Sequence, residues 1–270
     1  MLPSGMQTLA PTTCLVIGGR GFVGSAICRA AARAGWDVTA IGRRDYAGCV
    51  GRRFDVVVNA NGNARRYLAE RDPAADFDAS LRSVARSLAD FPCGRYALIS
   101  TVDVYEDPSR EDATAEDAPI DPLRLGVYGF HKRLAELCVM RRAASWQVFR
   151  LGQMVGPRLR KGPVFDVLRG LPIRIAATSE MPFLDTRSMA RIVVDLVARA
   201  PDRQVYNVCG AGSVAFGEVL ALLGAAHAPI DPAAPRQAYR IRTAKAAALC
   251  DLPASLDEVR RFAARSARRE

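Results

Sequence analysis

Tyr128 and Lys132 form a pair whose residue types and spacing suggest chemistry. Residues four positions apart lie on one face of a helix, so the phenol and the ammonium are expected to be neighbours. A free phenol has a pKa of about 10, and a nearby cation favours the phenolate. We therefore expect Lys132 to bring the pKa of Tyr128 closer to neutrality, where a general acid or base works best. The choice of lysine is informative, because the chain has three lysines and 35 arginines.

A glycine-rich segment, GGRGFVG, follows a predicted strand from Cys14 to Ile17 and opens a predicted helix from Phe22 to Ala34. Glycines at this place permit a tight turn, a close approach of the backbone to a pyrophosphate, and close packing of helix on strand. The phosphate then binds at the N-terminus of the helix. The segment predicts a dinucleotide site whose contacts are Gly18, Gly19, Arg20, Gly21, Phe22, Val23 and Gly24.

The second predicted strand, Asp37 to Ile41, ends in Gly42-Arg43-Arg44. A carboxylate at this place would bind the ribose 2′-hydroxyl of NAD, whereas two guanidinium groups suit a 2′-phosphate. NADP(H) is therefore the preferred cofactor, with Arg43 and Arg44 as contacts. NAD(H) stays open, because arginine is abundant in this chain. Only about a dozen residues lead to the next strand, which is too few for a full strand-helix unit.

The predicted strand Tyr96 to Ser100 runs directly into Thr101. Ligands of open α/β folds bind at the carboxyl edge of the sheet, so Thr101 is a candidate for orienting the oxygen of a substrate. The alternative is that Ser100 and Thr101 simply end a strand. His131 lies between the candidate catalytic residues in sequence but points to another side of the helix. We expect it to be a partly exposed structural histidine.

Short apolar runs alternate with amphipathic stretches along the chain. This alternation predicts an α/β fold, a Rossmann-type doubly wound parallel sheet with a small C-terminal substrate lobe. A segment rich in Asp, Pro, Glu and Ala, Glu106 to Leu125, is predicted to be a surface loop next to the site. The remaining predicted strands are Val56 to Asn59, Gln147 to Gly152 and Val205 to Val208, and the remaining predicted helices are Asp76 to Phe91, Ser188 to Ala200 and Leu256 to Arg269.

The predicted organisation has three parts. Residues 1–12 form a flexible N-terminus, residues 13–156 a dinucleotide-binding domain, and residues 157–270 mainly the substrate lobe. Within the last part, residues 188–210 are expected to return to the sheet.

The amino-acid composition indicates which kinds of partner and ligand to expect. The net charge of +10 is spread along the chain, which favours a solvated surface over a nucleic-acid site and would attract acidic substrates. The seven cysteines are scattered, and with only two histidines they do not show the spacing of a metal site. Such cysteines are typical of free thiols in the cytoplasm. The sequence offers neither a secretory signal nor a stretch apolar enough to span a membrane. We expect a cytoplasmic protein with a small-molecule substrate and no metal.

With these motifs the sequence resembles the extended short-chain dehydrogenase/reductases, the NAD(P)-dependent epimerase/dehydratase family that acts mostly on nucleotide sugars. The resemblance rests on GGRGFVG, STVDVY, YGFHK, FRLGQMVGP and VYNVCG, in this order. It implies that Tyr128 moves the proton at the reacting oxygen, that Lys132 also binds the nicotinamide ribose, and that Thr101 orients the substrate. It further implies cofactor contacts at Asn59, Ala60, Asn61, Ser100 and Leu151, and substrate contacts at Val102, Asp103, Gln153 and Arg187.

Some residues depart from the family pattern. The segment Met181 to Asp185 lacks an arginine that many relatives place on the nucleotide diphosphate, and Arg187 is the candidate replacement. The predicted helix Asp76 to Phe91 lacks the usual asparagine associated with a proton-relay water. The pair Val102-Asp103 replaces an Asp-Glu pair, which disfavours a 4,6-dehydratase.

The leading hypothesis is an NADP(H)-dependent oxidoreductase or epimerase acting on a nucleotide-activated sugar. The short adenine region and the small substrate lobe favour reduction of a keto group. The resemblance also implies a homodimer formed through helices like the one that bears Tyr128. Two alternatives stay open: a non-catalytic NADP-sensing regulatory protein of the same fold, and a reductase of a non-sugar carbonyl.

Overall fold

The computed structural model describes residues 10–267, and a parallel six-stranded sheet forms its centre. Residues 1–9, most of the predicted flexible N-terminus, lie outside the described residues. The strands are β1 (Thr13–Ile17), β2 (Asp37–Ile41), β3 (Phe54–Asn59), β4 (Cys93–Thr101), β5 (Trp146–Leu151), β6 (Gln153–Val155), β7 (Glu180–Met181), β8 (Phe183–Asp185), β9 (Gln204–Val208) and β10 (Val214–Ala215).

Ten α-helices surround these strands within the described residues. They are α1 (Phe22–Arg33), α2 (Arg66–Arg71), α3 (Pro73–Phe77), α4 (Ser83–Asp90), α5 (Val127–Arg142), α6 (Pro163–Leu168), α7 (Thr186–Arg199), α8 (Phe216–Leu222), α9 (Ala244–Ala247) and α10 (Ser255–Ser266). The C-terminal helix begins at Ser255, close to the predicted Leu256, and its predicted end at Arg269 lies outside the described residues.

The large sheet has the strand order β2-β1-β3-β4-β5-β9, and all its pairs are parallel. The four residues Cys14 to Ile17 of β1 are all buried, as expected for a strand that is covered on both faces. This sheet confirms the predicted doubly wound α/β fold. The strand order reverses between β1 and β3, and such a reversal opens a crevice at the carboxyl ends of the strands.

Helices cover both faces of the sheet. On one face, α1 and α7 pack together over a core that includes Ile27, Phe149 and Val193. On the other face, α4 and α5 pack over a core that includes Val84 and Val139. Because both faces are closed, only the edges and the strand ends are left to bind a ligand.

The connection from β2 to β3 is unusually short for parallel strands. It contains a single 3₁₀ turn, Ala47–Cys49, in place of a crossover helix. This abbreviated adenine-side unit is the one that the sequence predicts.

A second hydrophobic core lies beside the sheet and is built mainly from residues after position 155. The pairs β6-β8 and β7-β10 form two small sheets, and α8 packs against α10. Their apolar side chains include Ile173, Phe183, Phe216 and Phe262, all buried. Within the described range, no helix combines the length and the apolar character needed to cross a membrane.

The predicted helix Asp76 to Phe91 is interrupted in the structure. It begins earlier, at Pro73, because the side chain of Asp72 accepts a hydrogen bond from the amide of Ala75 and caps the helix. Residues Asp78–Arg82 form a π-helical turn between α3 and α4. Such turns widen the backbone spiral locally and are often found at functional sites.

Candidate active site

A cleft of about 910 Å³ lies between the carboxyl edge of the sheet and the second core. The glycine turn before α1, the ends of β3, β4 and β5, and α5 contribute to its walls. The cleft brings together most of the predicted site residues: Gly21, Phe22, Val23, Ala60, Asn61, Ser100, Thr101, Val102, Asp103, Tyr128, Lys132, Leu151 and Gln153. Other predicted residues do not line it: Gly18, Gly19, Arg20, Gly24, Arg43, Arg44, Asn59 and Arg187.

The glycine turn is followed by three backbone amides, those of Phe22, Val23 and Gly24, that have no hydrogen-bond partner within residues 10–267. Helix α1 begins after Gly21, which offers no capping side chain, and its first turn contains no acidic residue. The first amides of a helix lack partners inside the helix and bind anions well. Gly18 has a φ of 76°, and a Cβ on Gly24 would collide with the carbonyl oxygen of Gly18. These glycines are required for the turn to form. The free amides that follow the turn, at the start of α1, fit a pyrophosphate.

A second close approach supports the fit of a dinucleotide. Gly62, after β3, has a φ of 137°, and a Cβ there would lie 2.7 Å from Nζ of Lys132. Any side chain at position 62 would therefore displace the lysine ammonium from the cleft wall. Glycine at position 62 leaves the space beside the Lys132 ammonium free of any side chain of its own.

The predicted 2′-phosphate site lies outside the cleft, at the end of β2. Arg43 and Arg44 are exposed there. Arg20 joins them from the glycine turn, and its Nη1 atom lies 2.6 Å from Oδ2 of Asp45. The same carboxylate accepts a hydrogen bond from the amide of Gly42, which together with Arg20 lowers its pKa. The sequence analysis missed Asp45, although it directly follows the two predicted arginines.

Tyr128 and Lys132 both lie on the buried side of α5, where they line the cleft. Nζ of Lys132 lies 5.8 Å from the centre of the Tyr128 ring. Burial raises the pKa of Tyr128, the carboxylates of Asp103 and Asp76 raise it further, and the hydroxyl of Thr101 acts in the opposite direction. Burial also lowers the pKa of Lys132.

The prediction that Lys132 moves the pKa of Tyr128 toward neutrality is therefore wrong for the protein alone. Desolvation disfavours the charged form of both groups, and it has the largest effect on the pKa of each. The phenol is an acid that stays protonated at neutral pH.

A buried ionic network lies behind these two residues. Ser100 donates a 2.6 Å hydrogen bond to Glu136, one turn beyond Lys132 on α5. Arg150 binds both carboxylate oxygens of Glu136, at 3.1 and 2.8 Å. Burial alone would raise the pKa of Glu136, but Arg150 and these hydrogen bonds outweigh burial and lower it. The side chain of Ser100, a predicted cofactor contact, is thus engaged in anchoring α5 to β4.

Thr101 belongs to a second network at the substrate side. Its hydroxyl donates to Oδ2 of Asp103 at 3.1 Å. Tyr239, from the C-terminal part of the chain, donates to Oδ1 of Asp103 at 2.7 Å and accepts from Arg66 at 2.8 Å. The network fixes Thr101 and joins the second core to the sheet. Neither Tyr239 nor Arg66 belongs to a local motif, so their roles in this network could not be predicted from the sequence.

His131 is buried, and the prediction that it is partly exposed is wrong. Its Nδ1 atom lies 2.7 Å from Oδ2 of Asp76. Asp76 is itself buried and accepts a hydrogen bond from Ser80. The reason is that α3 and the π-helical turn pack across α5 and enclose the face that carries His131.

Two predicted contact residues have other partners. The amide group of Asn59 donates to Ser87 and Tyr96, while its oxygen accepts from the backbone of Asn61. Arg187 lies next to Asp185 at a smaller surface cavity of about 270 Å³. The side chain of Asn59 thus stabilises the loop after β3 without lining the main cleft. Arg187 does not line that cleft either.

The cleft contains cations that the sequence analysis did not predict. We call Arg65, Arg160, Lys161 and Arg174 the basic wall; all four line the cleft, and none forms an ion pair within residues 10–267. Burial lowers the pKa of Lys161 to about 8, with contributions from Lys132 and Arg65. The rarity of lysine was the available signal for Lys161. The arginines gave none, because arginine is common everywhere in the chain.

Comparison with known proteins identifies the family to which this chain is similar. Residues 14–209 match the profile of a family described as the NAD dependent epimerase/dehydratase family. No curated protein matches the chain by sequence.

Several solved structures share the fold. A mutant of UDP-glucuronic acid 4-epimerase from Bacillus cereus, in complex with UDP-4-deoxy-4-fluoro-glucuronic acid and NAD, has 18% identity and a TM-score of 0.79, over 96% of this chain and 100% of that one. RMD from Pseudomonas aeruginosa, complexed with NADPH, has 21% identity and a TM-score of 0.77, over 93% and 99%. A UDP-galactose 4-epimerase has 19% identity and a TM-score of 0.74, over 95% and 99%.

Proposed function

We propose that this chain, which belongs to the NAD dependent epimerase/dehydratase family, exchanges hydride between NADP(H) and a carbon of a nucleotide-activated sugar. It is an enzyme of that family. The observation that carries the proposal is one cleft lined by the glycine turn, by Tyr128 with Lys132, and by the basic wall. These are the parts needed to bind a dinucleotide, to move a proton and to hold an anionic substrate.

The residues of this chain that would hold the cofactor are spread along the sheet edge. The free amides at the start of α1 would bind the pyrophosphate, and Lys132 would bind the nicotinamide ribose beside Gly62. When bound, the cofactor supplies or accepts the hydride. The protein supplies position and proton transfer.

The charge at the end of β2 supports NADP(H) over NAD(H). Arg20, Arg43 and Arg44 bring three guanidinium groups to this place, against the single carboxylate of Asp45, which Arg20 already pairs. A 2′-phosphate gains from several arginines through charge-assisted hydrogen bonds. A 2′-hydroxyl would need a free carboxylate, and Asp45 is occupied.

Tyr128 would act as the proton donor to the reacting oxygen, and the Thr101 hydroxyl, which donates to Asp103 in this structure, would turn to donate a second hydrogen bond to that oxygen. Because burial raises the pKa of Tyr128, the phenol carries its proton at neutral pH. A protonated phenol is ready to donate, which suits reduction of a carbonyl. Donation is further assisted by the Lys132 ammonium, since a cation stabilises the phenolate that remains.

The basic wall would bind the diphosphate of the substrate. Its cations form no ion pair with any residue from 10 to 267, so a diphosphate would meet positive charge without breaking such a pair. Two of the structural neighbours, the UDP-glucuronic acid 4-epimerase and MoeE5, hold UDP sugars in their solved complexes. This supports a nucleotide sugar as the substrate class here. Reduction of a keto group is our first choice, and epimerisation is the second.

The test is to purify the protein, identify any co-purifying nucleotide, and add NADPH with UDP-, dTDP- and GDP-linked 4-keto-6-deoxyhexoses. We expect NADPH oxidation with at least one of these sugars, and slower oxidation of NADH. Interconversion of sugar epimers without net NADPH loss would favour the epimerase. Failure to bind either nicotinamide cofactor would contradict the proposal.

A further inference from the structure

A buried acid-base pair beside the active site has no part in the chemistry described so far. His131 and Asp76 lie 2.7 Å apart, and their side chains are only 8% and 1% exposed. Asp76 also accepts from Ser80 at 3.2 Å. His131 is one of two histidines in the chain and directly precedes Lys132 in sequence.

The pair reaches toward Lys132 through the π-helical turn. The point where a Cβ on Gly62 would lie is 2.7 Å from Nζ of Lys132, 3.7 Å from the Ser80 hydroxyl and 3.8 Å from the Ala79 carbonyl oxygen. The lysine ammonium, a hydroxyl and a carbonyl therefore surround one small space. A single water molecule could bridge groups at such separations. Asp76 also acts electrostatically on both Lys132 and Tyr128.

Net reduction consumes one proton in each turnover, and a chain of proton-transferring groups can supply it. Reducing a carbonyl forms one C–H bond with a hydride and one O–H bond with a proton. If Tyr128 donates that proton, it is left as a phenolate and must be reprotonated before the next turnover. An epimerase differs, because the proton removed in its first half-reaction is returned in the second.

Building on the proposed function, we propose that Asp76 and His131 supply the proton that restores Tyr128 after each reduction, through Ser80 and Lys132. The phenolate takes a proton from the Lys132 ammonium, and the lysine regains one, through a water molecule in the space beside Gly62, from the Ser80 hydroxyl, which turns away from Asp76 to donate it. Ser80 is reprotonated by Asp76, Asp76 by Nδ1 of His131, and His131 by solvent. Each group gains one proton as it releases another, and the sum is one proton taken from water.

Other charged groups face this path from the surrounding elements. Glu136 acts on Lys132 from one turn along α5, and Arg150 and Ser100 already bind its carboxylate. Asp103 and Tyr239 act on Tyr128 from the substrate side and bind each other. Of the carboxylates that act on Lys132, Asp76 is the one that lies within hydrogen-bond distance of a histidine, His131. The slight exposure of His131 provides the outlet.

The experiment compares Asp76→Asn and His131→Gln with a control, Asp78→Asn, in a rapid-mixing assay. Asp78 lies in the same helical stretch, but its ion pair with Arg82 is exposed. Enzyme loaded with NADPH is mixed with the keto-sugar nucleotide that the wild type reduces best. Tyr128 starts protonated, so we expect the first turnover to keep its wild-type rate in both variants. Later turnovers should slow at least about tenfold and show a larger solvent deuterium isotope effect.

Two further readouts do not depend on turnover. The Kd for NADPH, measured by fluorescence, should match the wild type in both variants. With ¹⁵N-labelled histidine, the Nδ1 proton that His131 shares with Asp76 should give a low-field signal, assigned by its loss in His131→Gln and lost also in Asp76→Asn. The signals of His227 should not change.

Three results would overturn the inference. Equal slowing of the first and later turnovers would mean that the pair only supports the fold. Wild-type steady-state rates in both variants would mean that protons reach Tyr128 by another route. A wild-type protein that binds NADPH but oxidises it with no keto sugar would contradict the proposed function itself, and the proton supply with it.

Discussion

The two ends of the cleft treat charge in opposite ways. At the proposed catalytic end, Lys132, Glu136 and Arg150 are buried on regular elements, and the last two form an ion pair. At the proposed substrate end, the basic wall of Arg65, Arg160, Lys161 and Arg174 lies on loops and has no ion pairs within the described residues. A buried charge without a partner is costly, as the pairing of Glu136 with Arg150 reflects, whereas a charge near solvent costs little before a ligand binds. One end is therefore built to hold its geometry, and the other is built to bind.

The two lysines of the cleft illustrate the difference. Burial lowers the pKa of both, but Lys132 has carboxylates on two sides, Asp76 and Glu136, that raise it again. Lys161 has cations, Lys132 and Arg65, as its strongest neighbours. We expect Lys132 to be charged when Tyr128 donates its proton, and Lys161 to be most stable with an anion beside it.

The largest expected effect comes from removing the catalytic phenol. Tyr128→Phe should lower kcat for keto-sugar reduction by a factor of roughly 10² to 10⁴, the usual contribution of a positioned general acid. The Kd for NADPH, measured by fluorescence titration, should change little, because the ring is kept. A variant with wild-type kcat would mean that another group donates the proton.

Breaking the ion pair at the catalytic end should cost most in stability. Glu136→Gln leaves the buried guanidinium of Arg150 without its counter-charge, and we expect a loss of about 3–5 kcal/mol in the free energy of unfolding. The pKa of Glu136 is lowered in the folded protein, so this contribution is present above its ordinary pKa and is lost as the pH falls through the folded-state value.

The matched control for this variant is a pair at the surface. Arg86→Ala breaks the exposed contact with Asp90 on α4 and should cost less than about 1 kcal/mol. Urea unfolding of both variants at pH 7 measures the difference. Similar losses for the two would contradict the contrast between buried and exposed charges.

The arginines after β2 should decide cofactor choice. Arg43→Ala combined with Arg44→Ala should raise the Kd for NADPH roughly ten- to a hundredfold, since a hydrogen bond to a charged group contributes about 1.5–3 kcal/mol. The Kd for NADH should stay within error, because NADH lacks the 2′-phosphate. Arg141→Ala with Arg142→Ala, at the exposed end of α5, controls for the loss of net charge. A parallel loss of NADH affinity would argue against the assignment.

The smallest expected effect concerns Lys161 and pH. Its pKa is lowered to about 8, so it loses its charge as the pH rises through that value, and the KM of an anionic substrate should rise above it. Lys161→Arg should keep the low KM at alkaline pH, because arginine stays protonated. Lys161→Met should show a raised KM at every pH. Identical KM profiles for all three proteins would exclude Lys161 from substrate binding.

The sequence predicted which residues meet at the Tyr128 end of the cleft, because their positions depend on local patterns. The glycine turn, the hydroxyls after β4 and the spacing of Tyr128 and Lys132 are each contained in a few consecutive residues. Alternating apolar runs also predicted the parallel sheet that brings these motifs to one edge. Local sequence and global fold agree in this region.

The substrate end and the protonation states were beyond the reach of the sequence. Tyr239 binds Asp103 across 136 positions, and this pairing depends on how the second core packs. The pKa of Tyr128 was predicted in the wrong direction, because a pattern of neighbours shows charges but not burial. His131 was placed wrongly for a related reason, since the π-helical turn that covers it has no recognisable sequence pattern.

The central claim is that Tyr128 gives a proton to a substrate that receives hydride in the same cleft. The most direct measurement uses NADPH that carries deuterium at both C4 positions and follows the label into the sugar product by mass spectrometry, for the wild type and for Tyr128→Phe. We predict that the wild type transfers deuterium to the reacting carbon, and that the variant binds the cofactor but transfers almost none. Equal transfer by both proteins, or a product that contains no deuterium, would contradict the account.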